Sequence, residues 1–442
     1  MPSLLIRNGT LVTMNQEREV CTGNIYIENG IIREMDSTRV EADEVIEARD
    51  MLVLPGLIQV HVHLCQTLMR GMADDLALLD WLRKRIWPLE AAHDFDSLYC
   101  SALLGCGELL LSGTTTILDM GTVNHQEAVF EAINHSGIRA ISGKCLMDNA
   151  PDAPPALQES TEDGMQETLK LLERWHNQAG GRIRYAPAPR FVLSCSRRLW
   201  EEVRELADSL GTLIHTHAAE NRDETELVRQ LTGQGNVEFF HQMGVCGPRT
   251  VLAHCIWLSE REEELLQESG TAVAHCPSAN LKLASGVARI PRLLEKGVRV
   301  GLGCDGPPCN NHLDMFSEMR TAALIQKPVY GATAMPAEKV LAMATIEGAA
   351  ILGWDREIGS LEPGKKADLI IINPGRPHSW PRLKHQPYAD LLYQVKAEDV
   401  WYTVVDGKVL VREGRLVSID EEHLARETDR QAHRLMTRAG LL

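Results

Sequence analysis

The apolar and polar positions of this chain fall into three regimes. Residues 1 to about 55 alternate in short runs, LLIRNGTLVTM and NIYIENGIIREM, with Asn-Gly pairs at 8–9 and 29–30. Alternation with a period of two predicts strands, and Asn-Gly between such runs predicts tight hairpin turns. From Pro55 to about residue 355 the pattern changes to apolar runs separated by longer amphipathic stretches. The runs are LIQVHVH, TTTILDM, IRAISGKC, IRYAPAP, TLIHTHA, TVLAHC, TAVAHC and VRVGLGCD, with segments such as LYCSALLGCGELLLSG and SEREEELLQESG between them. Eight strand candidates alternating with helix candidates predict an α/β fold, a (β/α)8 TIM barrel. Past about residue 358 the pattern returns to hairpin-like pieces, IGSLEPGKKADLIIINP and VWYTVVDGKVLVREGRLV. The expected organisation is therefore a barrel over 56–358 and a small β-sandwich domain built from both chain ends, 1–55 and 359–442. The final stretch, EEHLARETDRQAHRLMTRAG, predicts an exposed, charged helix.

Composition narrows the function classes. The chain has 442 residues, 44% hydrophobic and 24% charged, the balance of an ordinary globular protein. Its net charge of −16 weighs against nucleic-acid and anionic-membrane partners. The start, MPSLLIRNGTLVTMNQ, lacks the basic segment and apolar core of a secretory signal, and no apolar run approaches the ~20 residues a membrane span needs. Eleven cysteines occur without CxxC pairs, several inside apolar runs (Cys145, Cys255, Cys276). They predict reduced, buried thiols of a cytoplasmic protein.

Chemistry concentrates at the carboxyl ends of the predicted strands. HVHLCQTLMRG opens with His61 and His63, which a strand projects to one side. The fifth run ends in HTHAAE, giving His215, His217 and Glu220. The sixth supplies His254, the seventh His275 and the eighth Asp305. A core strand has no packing reason to end repeatedly in titratable groups, which cost free energy to bury unpaired. In this barrel architecture those ends form the active face. His61, His63, His217 and Asp305 suffice to hold one divalent ion with a position left open, the pattern of a hydrolytic site. Glu220, one turn past His217, is placed to shuttle a proton to a leaving nitrogen. His254 could orient a water or polarise a substituent of the attacked carbon, and Asp305 could double as ligand and base.

PGLIQVHVH, HTHAAE, LAHC, AHCPSANLKLASG and GLGCDGPPCNNHLDMFSEMR together resemble the amidohydrolase superfamily, in its branch of aminohydrolases acting on purines, pterins and triazines. The resemblance covers nearly the whole chain, including the closing EPGKKADLIII. It implies a metal-dependent deaminase that hydrolytically expels ammonia from a small heterocycle. It assigns His61, His63, His217 and Asp305 to the metal, and Glu220 and His254 to proton transfer. One divalent ion is expected, zinc first, with iron and manganese also suited to nitrogen and carboxylate ligands. IRYAPAPR has no lysine where binuclear members carry a carbamylated one, which favours a single ion. Members of this kind often self-associate, so a homo-oligomer is expected.

For the substrate, the eighth-run motif resembles deaminases of S-adenosylhomocysteine, methylthioadenosine and related nucleosides, with Glu90 where those enzymes bind ribose or ring. PRFVLSCS resembles instead the segment by which guanine deaminases hold their base, through Arg190 and Phe191. Lys144 falls where some members hold a substrate carboxylate. Trp81 and Trp87 lie on a predicted helical lid, and His275 completes the expected substrate-facing set. Alternatives are expulsion of another group, chloride included, from a pterin or triazine ring, or cleavage of a cyclic amide. A non-catalytic scaffold is disfavoured, because ligands, Glu220 and His254 are all intact.

Overall fold

The computed structural model describes residues 2–39, 41–381 and 387–442. The eight apolar runs form eight strands in chain order. They are β1 (Leu57–Val62), β2 (Thr114–Met120), β3 (Arg139–Gly143), β4 (Ile183–Tyr185), β5 (Ile214–Ala218), β6 (Thr250–His254), β7 (Ala272–His275) and β8 (Val300–Leu302). All neighbouring pairs are parallel, in two four-stranded sheets ordered β4-β3-β2-β1 and β5-β6-β7-β8. The sheets meet at both edges. Past β8, Asp305 pairs with Val62 and its amide donates to His61 O at 3.2 Å. On the other side, the amides of His215 and His217 donate to Pro187 O and Arg190 O. The result is a barrel-like α/β arrangement. Ile58, Val60, Leu118, Ile141, Val251, Ala253, Ala272 and Ala274 cluster with Trp354 as a dry core. Small residues on β6 and β7 leave room for the larger ones opposite.

Helices follow the strands, as the amphipathic stretches required. Asp94 caps helix Phe95–Leu111 and Ser259 caps helix Glu260–Ser269, each in a reciprocal box with the residue three on. No described helix is long and apolar enough to cross a membrane.

Strands from the two chain ends interleave. The hydrogen-bonded order is 415–416, 408–412, 400–405, 369–372, 52–55, 4–12, 20–28, 31–35, with 44–47 alongside 4–12. The halves join where Leu369–Ile372 runs antiparallel to Leu52–Pro55. Hydrogen bonding thus joins the described strands of the two chain ends into one nine-stranded sheet. Asn29-Gly30 makes the predicted turn, both residues at positive φ. Asn8-Gly9 does not: the strand Leu4–Val12 runs straight through it with a register shift between Ile6 and Gly9. Asn8 takes φ 60° inside that bulge, the other use of a residue tolerant of left-handed backbone. Buried Arg139 at the start of β3 ties the two units together. It binds Asp368 through two nitrogens, at 2.6 and 3.0 Å, and also reaches Asp406. The C-terminal helix, Glu421–Arg438, is less free than its charge suggested. It buries Leu424 and Leu435, and Arg438 donates to Asp94.

Candidate metal centre

A strand with strict alternation cannot present Val60 and His61 to the same side. Here a register irregularity between Gln59 and Val62 resets the alternation. Val60 packs in the barrel's dry core, while His61 and His63 both reach the ring of groups at its end. His217 comes from β5 and Asp305 from just beyond β8. One ligand atom from each of His61, His63, His217 and Asp305 lies within 4.8 Å of the others.

The hydrogen bonds fix which atoms face inward. His63 Nδ1 lies 2.9 Å from Met120 O, and His217 Nδ1 lies 2.8 Å from Arg190 O. A carbonyl only accepts, so both Nδ1 atoms carry the proton and both Nε2 atoms are bare lone pairs. Those two Nε2 atoms are 3.3 Å apart, and each of His61 Nε2 and His63 Nε2 is 3.3 Å from Asp305 Oδ1. Bare acceptors of His63, His217 and Asp305, converging in a buried space beside the unpartnered His61 Nε2, repel unless a cation sits among them. Tetrahedral zinc with ligands at ~2.0–2.1 Å would set its ligand atoms ~3.3 Å apart, so the residues fit such an ion. Burial lowers the His63 pKa to about 3 and holds His217 well below its ordinary value. Both are thereby kept neutral, as ligands must be. His61 Nδ1 pairs with His215 Nε2 at 2.8 Å, so the first histidine of HTH supports a ligand rather than being one.

Glu220 and His254 stand beside this cluster, Oε2 to Nε2 at 3.5 Å, with Asp305 Oδ2 3.9 Å from the same nitrogen. Burial pushes the Glu220 carboxyl up to about 7, with His254 opposing and Asp305 adding to the rise. For His254 burial works against the charge, but Glu220 and Asp305 outweigh it and raise its pKa. His254 Nδ1 pairs with Asn280 Oδ1 at 2.8 Å, which turns Nε2 towards the carboxylates. Ala219, His254, Cys255 and Asp305 all take positive φ. Strained backbone thus gathers where β5, β6 and β8 deliver these groups.

A small cavity of about 30 Å³ opens on the cluster, lined by Gln66, Leu78, Trp81, Leu82, Arg190 and Phe191 among others. That volume holds a few waters, and the segment bearing Leu78, Trp81 and Leu82 forms one of its walls. A π-helical turn, Leu82–Ile86, interrupts this segment between two short helices, and such turns recur at functional sites. Glu90 and Arg190 are both buried and pair through two contacts, at 2.6 and 3.3 Å. Gln66 donates to Glu90 Oε1, and its own Oε1 is buried without a partner.

Other expected substrate contacts lie elsewhere. Lys144 is fully buried, with its ammonium held by Glu159, Glu167 and Val123 O. It is enclosed because burial of an unpaired cation is prohibitive, so its charge is committed to those acids. Trp87 packs in the hydrophobic core and does not line the cavity. His275 is buried with neither ring nitrogen hydrogen-bonded, and it too is absent from the lining. Sequence reasoning passed over Gln66 and Asn280. Only Gln66, three residues beyond His63, had a local signal.

The site's class follows from comparison as well as geometry. A profile described as "Amidohydrolase family" matches residues 52–410. The chain is 39% identical to a 5-methylthioadenosine/S-adenosylhomocysteine deaminase of Desulfitobacterium hafniense, over 98% of each chain. It is 40% identical to a 5'-deoxyadenosine deaminase of Methanothermobacter thermautotrophicus, over 91% of this chain and 92% of that one. Among solved structures, an adenosine deaminase from Xanthomonas campestris with bound zinc superposes with a TM-score of 0.92. It is 31% identical, and the match covers 98% of both chains. The chain belongs to the amidohydrolase family. Within that family its class is that of the hydrolytic deaminases, and both expectations from the sequence are borne out.

Proposed function

We propose that this protein releases ammonia hydrolytically from an adenosine-type nucleoside, with methylthioadenosine and S-adenosylhomocysteine as the first candidates. The observation behind this reading is the convergence of one ligand atom each from His61, His63, His217 and Asp305 beside the Glu220–His254 pair. These four side chains would hold one ion, zinc by preference, and the Xanthomonas relative was solved with bound zinc. A divalent ion held there would polarise a water and lower its pKa towards about 7. Asp305 Oδ2, turned towards His254, takes the proton of the attacking water. Glu220, poised near neutrality, hands its proton to the ring nitrogen, takes the proton of the new hydroxyl as the carbonyl forms and passes it to the departing amine, and the proton held by Asp305 then restores Glu220. His254, held by Asn280, keeps its Nε2 on the attacked carbon's new oxygen. The balance is one water in, with a ring carbonyl and ammonia out.

Arg190 bears on the choice of substrate. Its guanidinium is engaged by Glu90, which leaves little of it to donate to a guanine-type carbonyl and supports the adenosine-type reading. Gln66, Phe191 and Trp81 would then enclose the base. A closed (β/α)8 barrel over 56–358, with 1–55 and 359–442 as its companion unit, fits the two joined half-sheets and the interleaved terminal strands. Eleven free cysteines support a reducing, cytoplasmic setting.

The test is ammonia release by metal-analysed protein from methylthioadenosine, S-adenosylhomocysteine, adenosine, guanine and melamine. Adenosyl compounds should turn over, and Glu220→Gln should lower kcat by about 10²–10⁴ with metal retained. Silence on every adenosyl compound, or a wild-type rate for Glu220→Gln, overturns the reading.

A further inference from the structure

Glu220 stands at a place the chain does not adopt freely. Past β5 the backbone turns through Ala219 at φ 49°, in the left-handed region that costs an alanine about 1 kcal/mol or more. Such a turn persists only where its surroundings hold it. Ala219 O accepts from the amides of Ile256 and Trp257, at 2.9 and 3.0 Å. The Glu220 amide donates to Glu224 Oε2 at 3.2 Å. The other Glu224 oxygen accepts from Asn236 Nδ2. Glu224 lies on helix Arg222–Thr232 and Asn236 on the separate helix Asn236–Gln242. Both are buried, Glu224 at 2% and Asn236 at 0% exposure. An apolar side chain would fill the Glu224 position without desolvating a carboxylate. What the carboxylate adds is a bridge between the Glu220 backbone and a second helix.

We propose that Glu224, braced by Asn236, is the positioning residue for Glu220. It anchors the Glu220 amide and so fixes where that side chain's carboxylate meets His254 Nε2 and the metal cluster. Glu224 touches no substrate and acts only through Glu220. The proposal rests on the proton-transfer role given above to Glu220.

The experiment compares zinc-loaded, full-length wild type with Glu224→Ala, Asn236→Ala, Glu220→Gln and the Glu220→Gln/Glu224→Ala double variant. Two readouts are taken: ammonia release from methylthioadenosine, and amide exchange across residues 217–223. Displacing a catalytic group by about 1 Å can cost about 100-fold, so Glu224→Ala should lose that much in kcat. Its KM should stay within about twofold and its metal content should be unchanged, because the interaction lost is one made to the transition state. Asn236→Ala should lose about tenfold, and it serves if Glu224→Ala does not fold. The double variant should be no slower than Glu220→Gln, since two residues acting as a unit are not additive. Exchange at the Glu220 amide should quicken about tenfold in Glu224→Ala. A wild-type kcat in either folded, metal-loaded single variant overturns the proposal, as do multiplicative losses in the double variant or unchanged exchange. If the wild type releases no ammonia, the role of Glu220 falls, and the exchange measurement still decides whether Glu224 holds its backbone.

Discussion

Replacing Arg190 with methionine isolates the buried pair that closes one wall of the site. The guanidinium meets Glu90 at 2.6 and 3.3 Å, with both side chains almost wholly out of solvent. At an effective dielectric of ~20, opposite charges ~4 Å apart attract by about 4 kcal/mol. Methionine keeps much of the volume and removes the charge, which leaves the Glu90 carboxylate buried with Gln66 Nε2 as its remaining donor. Stranding one member of a buried pair costs about 3–5 kcal/mol, so Arg190→Met should lose about that much unfolding free energy. The Arg190→Met/Glu90→Gln double variant should regain most of it, because no unpaired charge remains. Metal binding should survive in both variants, since His217 is oriented by the main-chain carbonyl of residue 190 and not by its side chain. The assay is urea unfolding of the metal-loaded proteins, followed by tryptophan fluorescence, with metal analysis alongside. A single variant as stable as wild type refutes the reasoning. So does a double variant as unstable as the single, which would mean the guanidinium contributes by packing and not by pairing.

Asp305→Asn removes the one anionic member of the ligand set, and metal content should fall to about a tenth or less with turnover lost. Full metal occupancy and activity in that variant would exclude the assigned centre. Burial pushes the Glu318 carboxyl up to about 7. A carboxyl whose folded pKa is raised destabilises the fold as pH climbs from its unfolded value, near 4.5, through about 7. Glu318→Gln should therefore gain up to about 3 kcal/mol relative to wild type between pH 5 and pH 8, and equal pH profiles would disprove it. Arg139→Met cuts the buried link from β3 to Asp368 and Asp406. It should cost about 3–5 kcal/mol in denaturant unfolding, and a loss below about 1 kcal/mol would show that the terminal sheet docks without it.

Much of this protein was legible in its sequence, because the relevant information is local. Eight apolar runs became eight parallel strands, since run length and the intervening amphipathic segments are properties of contiguous residues. His61, His63, His217, Glu220, His254 and Asp305 could be picked out because each ends a run, and run ends share one face of such a fold. Partners separated by long stretches of chain were not legible. Whether Arg190 faces substrate or Glu90, a hundred residues away, depends on which strand ends adjoin. Lys144 could not be known to meet Glu159 and Glu167 before the helix bearing Glu167 packed over it. Asn8-Gly9 and Asn29-Gly30 are the same dipeptide, yet one is a bulge and the other a turn. Backbone tolerance is local, while the number of strands paired alongside is not. The sequence by itself determined the period of each element and the residues able to ligate. Only the tertiary structure decided which carbonyls orient His63 and His217, which acids enclose Lys144, and how strands from the two ends share one sheet. Those outcomes are set by the packing of distant segments, where burial makes every polar group find a partner or be excluded.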